Sequence, residues 1–108
     1  FMSVILCDEK TKSVNIYVSA DVEDGRLMIT GQDLGIACEK AWGDSEYEYY
    51  YSFNEKNIDR LQKSLLQELK CDSELLDLLL ANFSGVDGCI RLRDYCESNN
   101  IKYEFFSC

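Results

Sequence analysis

Two periods divide the chain. Up to residue 53 the apolar positions recur at every second residue or in short runs bounded by turn signals. Beyond it they recur at three and four. Met2 to Cys7 is a short apolar run, and Ser13 to Ala20 sets Val14, Ile16 and Val18 against Asn15, Tyr17 and Ser19. With Asp8 to Lys12 as a polar turn, these two segments predict a hairpin. Asp24-Gly25 then stands between the second run and Arg26 to Thr30, a tight-turn dipeptide that folds a third strand back on the second. Gly31-Gln32-Asp33-Leu34-Gly35 reads as a shaped loop, and Ile36 to Trp42 as a short helix or an irregular crossing ended by Gly43.

The clearest alternation follows. In Glu46-Tyr47-Glu48-Tyr49-Tyr50-Tyr51-Ser52-Phe53 an extended backbone sends Glu46, Glu48 and Tyr50 to one face and Tyr47, Tyr49, Tyr51 and Phe53 to the other. The second set builds a core. The first offers carboxylates and a phenol to whatever lies outside.

The remainder reads as helices and one returning strand. Ser52 and Glu55 have capping-box spacing, with Asn54 as the alternative cap, and Ile58, Leu61, Leu65, Leu66 and Leu69 share one helical stripe. Asp72 or Ser73 caps a leucine-dense second helix from Glu74 to Phe83. Ser84 to Gly88 breaks it, and a third helix runs to about Ser98 with Ile90, Leu92, Tyr95 and Cys96 available for packing. Asn99-Asn100 supplies a left-handed stop, and Ile101 to Phe106 reads as a final strand. The expected architecture is α+β over residues 1–108 as one domain. An antiparallel sheet of four to five strands, an N-terminal meander joined by the C-terminal strand, has about three helices packed on one face and leaves the other open.

Composition narrows the function. Acids outnumber bases 20 to 11, for a net charge of −9, which repels nucleic acid and anionic membranes and favours a basic protein. The acidity is concentrated between residues 21 and 48, where Asp21, Glu23, Asp24, Asp33, Glu39, Asp44, Glu46 and Glu48 face only Arg26 and Lys40. There is no histidine, so the usual general base, metal ligand and nucleophile activator is missing. Neither phosphate-binding glycine motif is present, and the acids from Asp21 to Asp33 lack the alternate spacing of a calcium loop. No catalytic residue, cofactor or metal is expected. The six cysteines are dispersed without a CxxC pair, and the opening lacks the charged start and long apolar stretch of a secretory leader, so free thiols in the cytoplasm are expected.

The strings Gly31-Gln32-Asp33-Leu34-Gly35, Trp42-Gly43-Asp44-Ser45-Glu46-Tyr47-Glu48-Tyr49 and Ile101-Lys102-Tyr103-Glu104-Phe105 resemble those of a group of small, acidic, single-domain bacterial proteins with no established activity. In general type such proteins are similar to immunity proteins, which bind and block a toxin domain. The resulting expectation is a cytosolic protein-binding module, specifically an immunity protein that neutralises a basic toxin domain such as a nuclease by occlusion. A small regulatory protein with a partner unrelated to toxins is the alternative. The expected contact residues are Asp21, Glu23, Asp24, Asp33, Trp42, Asp44, Glu46, Glu48 and Tyr50, with Trp42 and Tyr50 as desolvated anchors among carboxylates that steer the partner in.

Overall fold

The computed structural model describes residues 2–35, 39–40, 43 and 45–108. Within them the fold is α+β. Strands β1 (Met2–Lys10), β2 (Asn15–Glu23), β3 (Arg26–Leu34) and β4 (Glu46–Phe53) precede helices α1 (Glu55–Leu69), α2 (Leu75–Asn82) and α3 (Gly88–Ser98), and β5 (Glu104–Ser107) closes the chain. The strands lie in the order β1-β2-β3-β4-β5, each pair antiparallel.

The turn chemistry explains the meander. Asp24 and Gly25 both take positive φ, 51° and 73°, the two-residue geometry whose twist matches the flanking strands. The first hairpin closes later than its composition suggests. Asp8, Glu9 and Lys10 stay paired with Tyr17, Ile16 and Asn15, and the turn falls at Thr11 to Val14, where the Thr11 hydroxyl donates to the Val14 carbonyl at 2.7 Å. Polar side chains on a strand's rim cost the ladder nothing. The turn forms where a side chain can close it.

The glycine segment is also a correction. Gly31 to Leu34 is no loop, because β3 pairs with β2 as far as Leu34↔Asn15 and with β4 as far as Leu34↔Glu46. Gly31 sits mid-strand because the Tyr49 ring lies where its side chain would be: a Cβ there would stand 2.1 Å from ring carbons. Of the Ile36 to Trp42 segment, Glu39 and Lys40 are helical, with the Glu39 N–H bonded to the Gly35 carbonyl; the rest lies outside the described residues.

One face of the sheet makes the core. Val18, Ala20, Leu27, Ile29, Tyr51 and Phe53 point to it, and α1 packs on β3 and β4 through Leu61 and Leu65 while α2 packs on β1. Asn54, not Ser52, caps α1, its Oδ1 accepting the Asn57 N–H at 3.0 Å; Ser52 belongs to β4. Two residues expected to pack fall outside the core. Leu69 is exposed in the last turn before Lys70 goes left-handed, and Ile90 is exposed in the first turn of α3, whose buried contacts come from Leu92 and Cys96. Asn100 supplies the left-handed residue after α3, at φ 56°. The last strand is shorter than expected, since only Glu104 onward pairs with β4, while Ile101 is buried and Tyr103 packs against the core. No described helix is long and apolar enough to cross a membrane.

Candidate functional site

The register fixes what the face opposite α1, α2 and α3 presents. Because paired residues share a face, the rows across this open side read Asp8–Tyr17–Gln32–Glu48, then Ile5–Ser19–Thr30–Tyr50–Phe106, then Ser3–Asp21–Met28–Ser52–Glu104. Glu46 follows beside Leu34, and Glu23 stands opposite Arg26 at the other end. The expected split of β4 holds: Glu46, Glu48 and Tyr50 lie outside, and Tyr47, Tyr49, Tyr51 and Phe53 lie towards the helices.

The β4–β5 side of this face is aromatic. Tyr50 stacks on Phe106 with ring centroids 4.8 Å apart and planes 18° from parallel. Its hydroxyl donates to Glu48 Oε2 at 2.7 Å, a bond between same-face neighbours two residues apart. That bond, with a smaller contribution from Glu46, holds the Glu48 carboxyl below its ordinary range and pushes the Tyr50 phenol up. One strand over, Gln32 Nε2 donates to Glu46 Oε1 at 2.7 Å. Both carboxylates are thus oriented by neighbours on the same face. Ile5, Tyr17 and Phe106 stay 52, 41 and 45% exposed, so the same face also offers desolvatable surface.

A second acidic group lies towards the β2–β3 turn. Asp21, Glu23, Asp24, Arg26 and Met28 line a shallow depression of about 410 Å³. Arg26 is engaged there, its Nη2 donating to Ser52 Oγ at 2.9 Å. The open face therefore gathers Asp21, Glu23, Glu46, Glu48 and Tyr50, with Asp24 at the adjoining turn.

Asp33 is placed elsewhere. It shares the helix-side row Ile16–Asp33–Tyr47 and lines a groove of about 340 Å³ with Tyr49, Tyr51, Cys89, Arg93 and Phe105. Desolvation raises its carboxyl, and in the same groove desolvation pushes the Cys89 thiol up to about 11. A thiol so placed stays protonated at neutral pH and is a poor nucleophile. Trp42 and Asp44 lie outside the described residues.

Phe106 and Tyr17 complete the face and were not among the expected contact residues. Alternation in Ser13 to Ala20 already set Tyr17 opposite Ile16 and Val18. Phe106 needed the β4–β5 register, which no local pattern supplies. Cys7, Cys71, Cys89, Cys96 and Cys108 are free thiols. Among the described residues no cluster of three or more Cys, Asp or Glu could hold a metal ion. Comparison with protein-family models, with curated proteins and with solved structures finds no match to the chain.

Proposed function

We propose that this chain is a protein-binding module whose open sheet face captures a basic protein, and that it acts as an immunity protein, occluding a basic toxin domain such as a nuclease. The observation that carries the reading is the stacked Tyr50–Phe106 pair set between Glu46 and Glu48 on one side and Glu104 on the other. Rigid aromatic area beside clustered charge is an arrangement in which anchors supply slow dissociation and carboxylates supply fast capture. A net charge of −9 adds long-range attraction to a positive nucleic-acid site on the toxin. Occlusion needs no chemistry from the binder.

The test uses purified basic bacterial nuclease toxin domains, scored for inhibition of cleavage and for surface-binding kinetics at low and high salt. For an inhibited domain, Glu46→Lys with Glu48→Lys slows association by about tenfold or more at low salt and by less at high salt, since screening removes the steering term. Tyr50→Ala acts on dissociation instead. Unchanged association in the charge-reversed protein, with its melting curve preserved, removes this face from the interface.

A further inference from the structure

The sheet has two outer edges, and they are treated differently. The edge at β1 is protected: the register shifts between Ile5 and Cys7, the Leu6 carbonyl accepts the Gly85 N–H at 2.9 Å, α2 packs alongside, and the strand ends in Asp8-Glu9-Lys10. Bulges, covering segments and charges are the devices that stop an edge from recruiting another strand. The edge at β5 has almost none of them. Its protection is its shortness, four residues, but it has no register shift, and Phe105 and Phe106 are 50 and 45% exposed on opposite faces.

The ladder shows which backbone groups it offers. The Cys108 N–H bonds the Glu48 carbonyl at 3.0 Å, so Cys108, Phe106 and Glu104 turn their N–H and C=O towards β4. Phe105 and Ser107 turn theirs outward, and no described residue outside the sheet bonds them.

We propose that the β5 edge takes an extended segment of the partner as an added sixth strand, with cationic and apolar side chains alternating. The proposal rests on the reading above that the partner is basic. The alternation follows from what flanks the edge. On the open face the added side chains lie beside Phe106 and Glu104, with Tyr50 and Glu48 one strand further in, which suits ammonium or guanidinium groups through ion pairing and cation–π contact. On the helix side they lie beside Phe105, which lines a groove with the exposed Val86 and Ile90, and there apolar residues fit. Main-chain bonds to Phe105 and Ser107 supply affinity, and the alternate side chains supply selection. A second copy of the chain is the poorer occupant, because it brings another charge of −9 and lays its own Glu104 on the acidic face.

The probe is an end-capped octapeptide of four Lys-Val repeats, with four Lys-Pro repeats as a control of equal charge that has no N–H at the helix-side positions an antiparallel addition sets against Phe105 and Ser107. Binding of the Lys-Val peptide slows amide exchange at Phe105 and Ser107 by about tenfold or more, and the Lys-Pro peptide leaves both unchanged. Ser107→Pro removes an outward donor without touching the β4 ladder, as proline on an edge allows, and weakens the Lys-Val peptide by about tenfold. If that variant does not fold, exchange in the unaltered protein decides alone. Unchanged exchange at Phe105 and Ser107 overturns the edge assignment; if Glu46→Lys with Glu48→Lys still weakens the peptide, the basic-partner reading survives that failure. Slow exchange at both amides without peptide, together with a dimer in sedimentation, also overturns it, since the edge is then filled by a second copy. Equal affinity for an alternating Glu-Val peptide removes the cationic half of the proposal and the reading on which it rests.

Discussion

Gly31→Ala tests the packing that holds the candidate face in place, because there two ordinary rules disagree in sign. Glycine weakens a strand interior, and replacing it by alanine recovers about 0.5–1 kcal/mol where the backbone allows. Gly31 has no positive φ to forbid the change. Packing argues the other way: the new Cβ lies 2.1 Å from Tyr49 ring carbons, whereas carbon contacts are comfortable at about 3.5–4.0 Å. The ring would have to retreat by about 1.5 Å. It is held by Tyr47 and Tyr51, with centroids at 5.6 and 6.2 Å. Overpacking of this kind costs about 1–3 kcal/mol, which exceeds the propensity gain. We expect a net loss of about 1–2 kcal/mol, read as a fall of about 1 M in the urea midpoint by circular dichroism for a chain of this size. In Tyr49→Ala the clash is absent, so adding Gly31→Ala to it costs nothing or stabilises slightly, and the double-mutant cycle returns a coupling of about 1 kcal/mol or more. A Gly31→Ala midpoint at or above the parent's, or additive changes in the cycle, refutes the reasoning.

Leu65 is 3% exposed in the middle of α1, so Leu65→Ala costs about 2–5 kcal/mol in urea unfolding while Lys63→Ala, on the exposed side, stays within about 0.5 kcal/mol. Desolvation pushes the Cys96 thiol up to about 12 and Cys89 to about 11, above the usual 9.0. The unfolded chain therefore loses these protons first, and stability falls as pH rises from about 9 towards the folded values while staying flat below, with a slope for each of up to about 1.4 kcal/mol per pH unit. Urea midpoints from pH 8 to 11 check this, and Cys96→Ala must flatten the decline. In thiol titration Cys71 and Cys108 react at once, Cys7 and Cys96 only on unfolding, and all six cysteines are recovered from unfolded protein; a shortfall of two contradicts free thiols.

What could be read from the chain was what short-range pattern encodes. The two faces of β4 follow from a strict alternation, the β2–β3 turn from one dipeptide, and the core side of α1 from a stripe of leucines. Gly31 is not legible this way because its reason lies on another strand. A missing side chain looks like a turn until Tyr49 is seen filling the space. The same ambiguity moves Asp33 as well. With β3 ending at Thr30, Asp33 joined the exposed acids; with β3 running to Leu34, parity puts it in the inward set with Leu27, Ile29 and Gly31. Phe106 was missed for a related reason, since recognising a strand does not say which residue it stands beside.

The same ring and glycine also bear on the candidate site, because they select the register that makes it. Slipping β4 by one residue against β3 would carry Glu48 and Tyr50 under the helices and put Tyr49 and Tyr51 outside, at the full cost of burying a carboxylate. A slip of two is the subtler threat, since it keeps every side chain on its own face. It would, however, set Tyr49 over Ile29 or Asp33, where a side chain already stands, and leave Tyr47 or Tyr51 over Gly31 in its place. Tyr51 is already buried among Tyr103 and Phe105, and moving it would empty that contact as well. Only the observed pairing puts the Tyr49 ring over the one inward position of β3 without a side chain, while aligning Tyr50 with Phe106 and Glu48 with Gln32. The order of the open face is thus maintained from the opposite side of the sheet. Substitutions at Glu46, Glu48 or Tyr50 can therefore be read as effects on binding, whereas a change at Gly31 or Tyr49 would reach the same face only by disturbing the register.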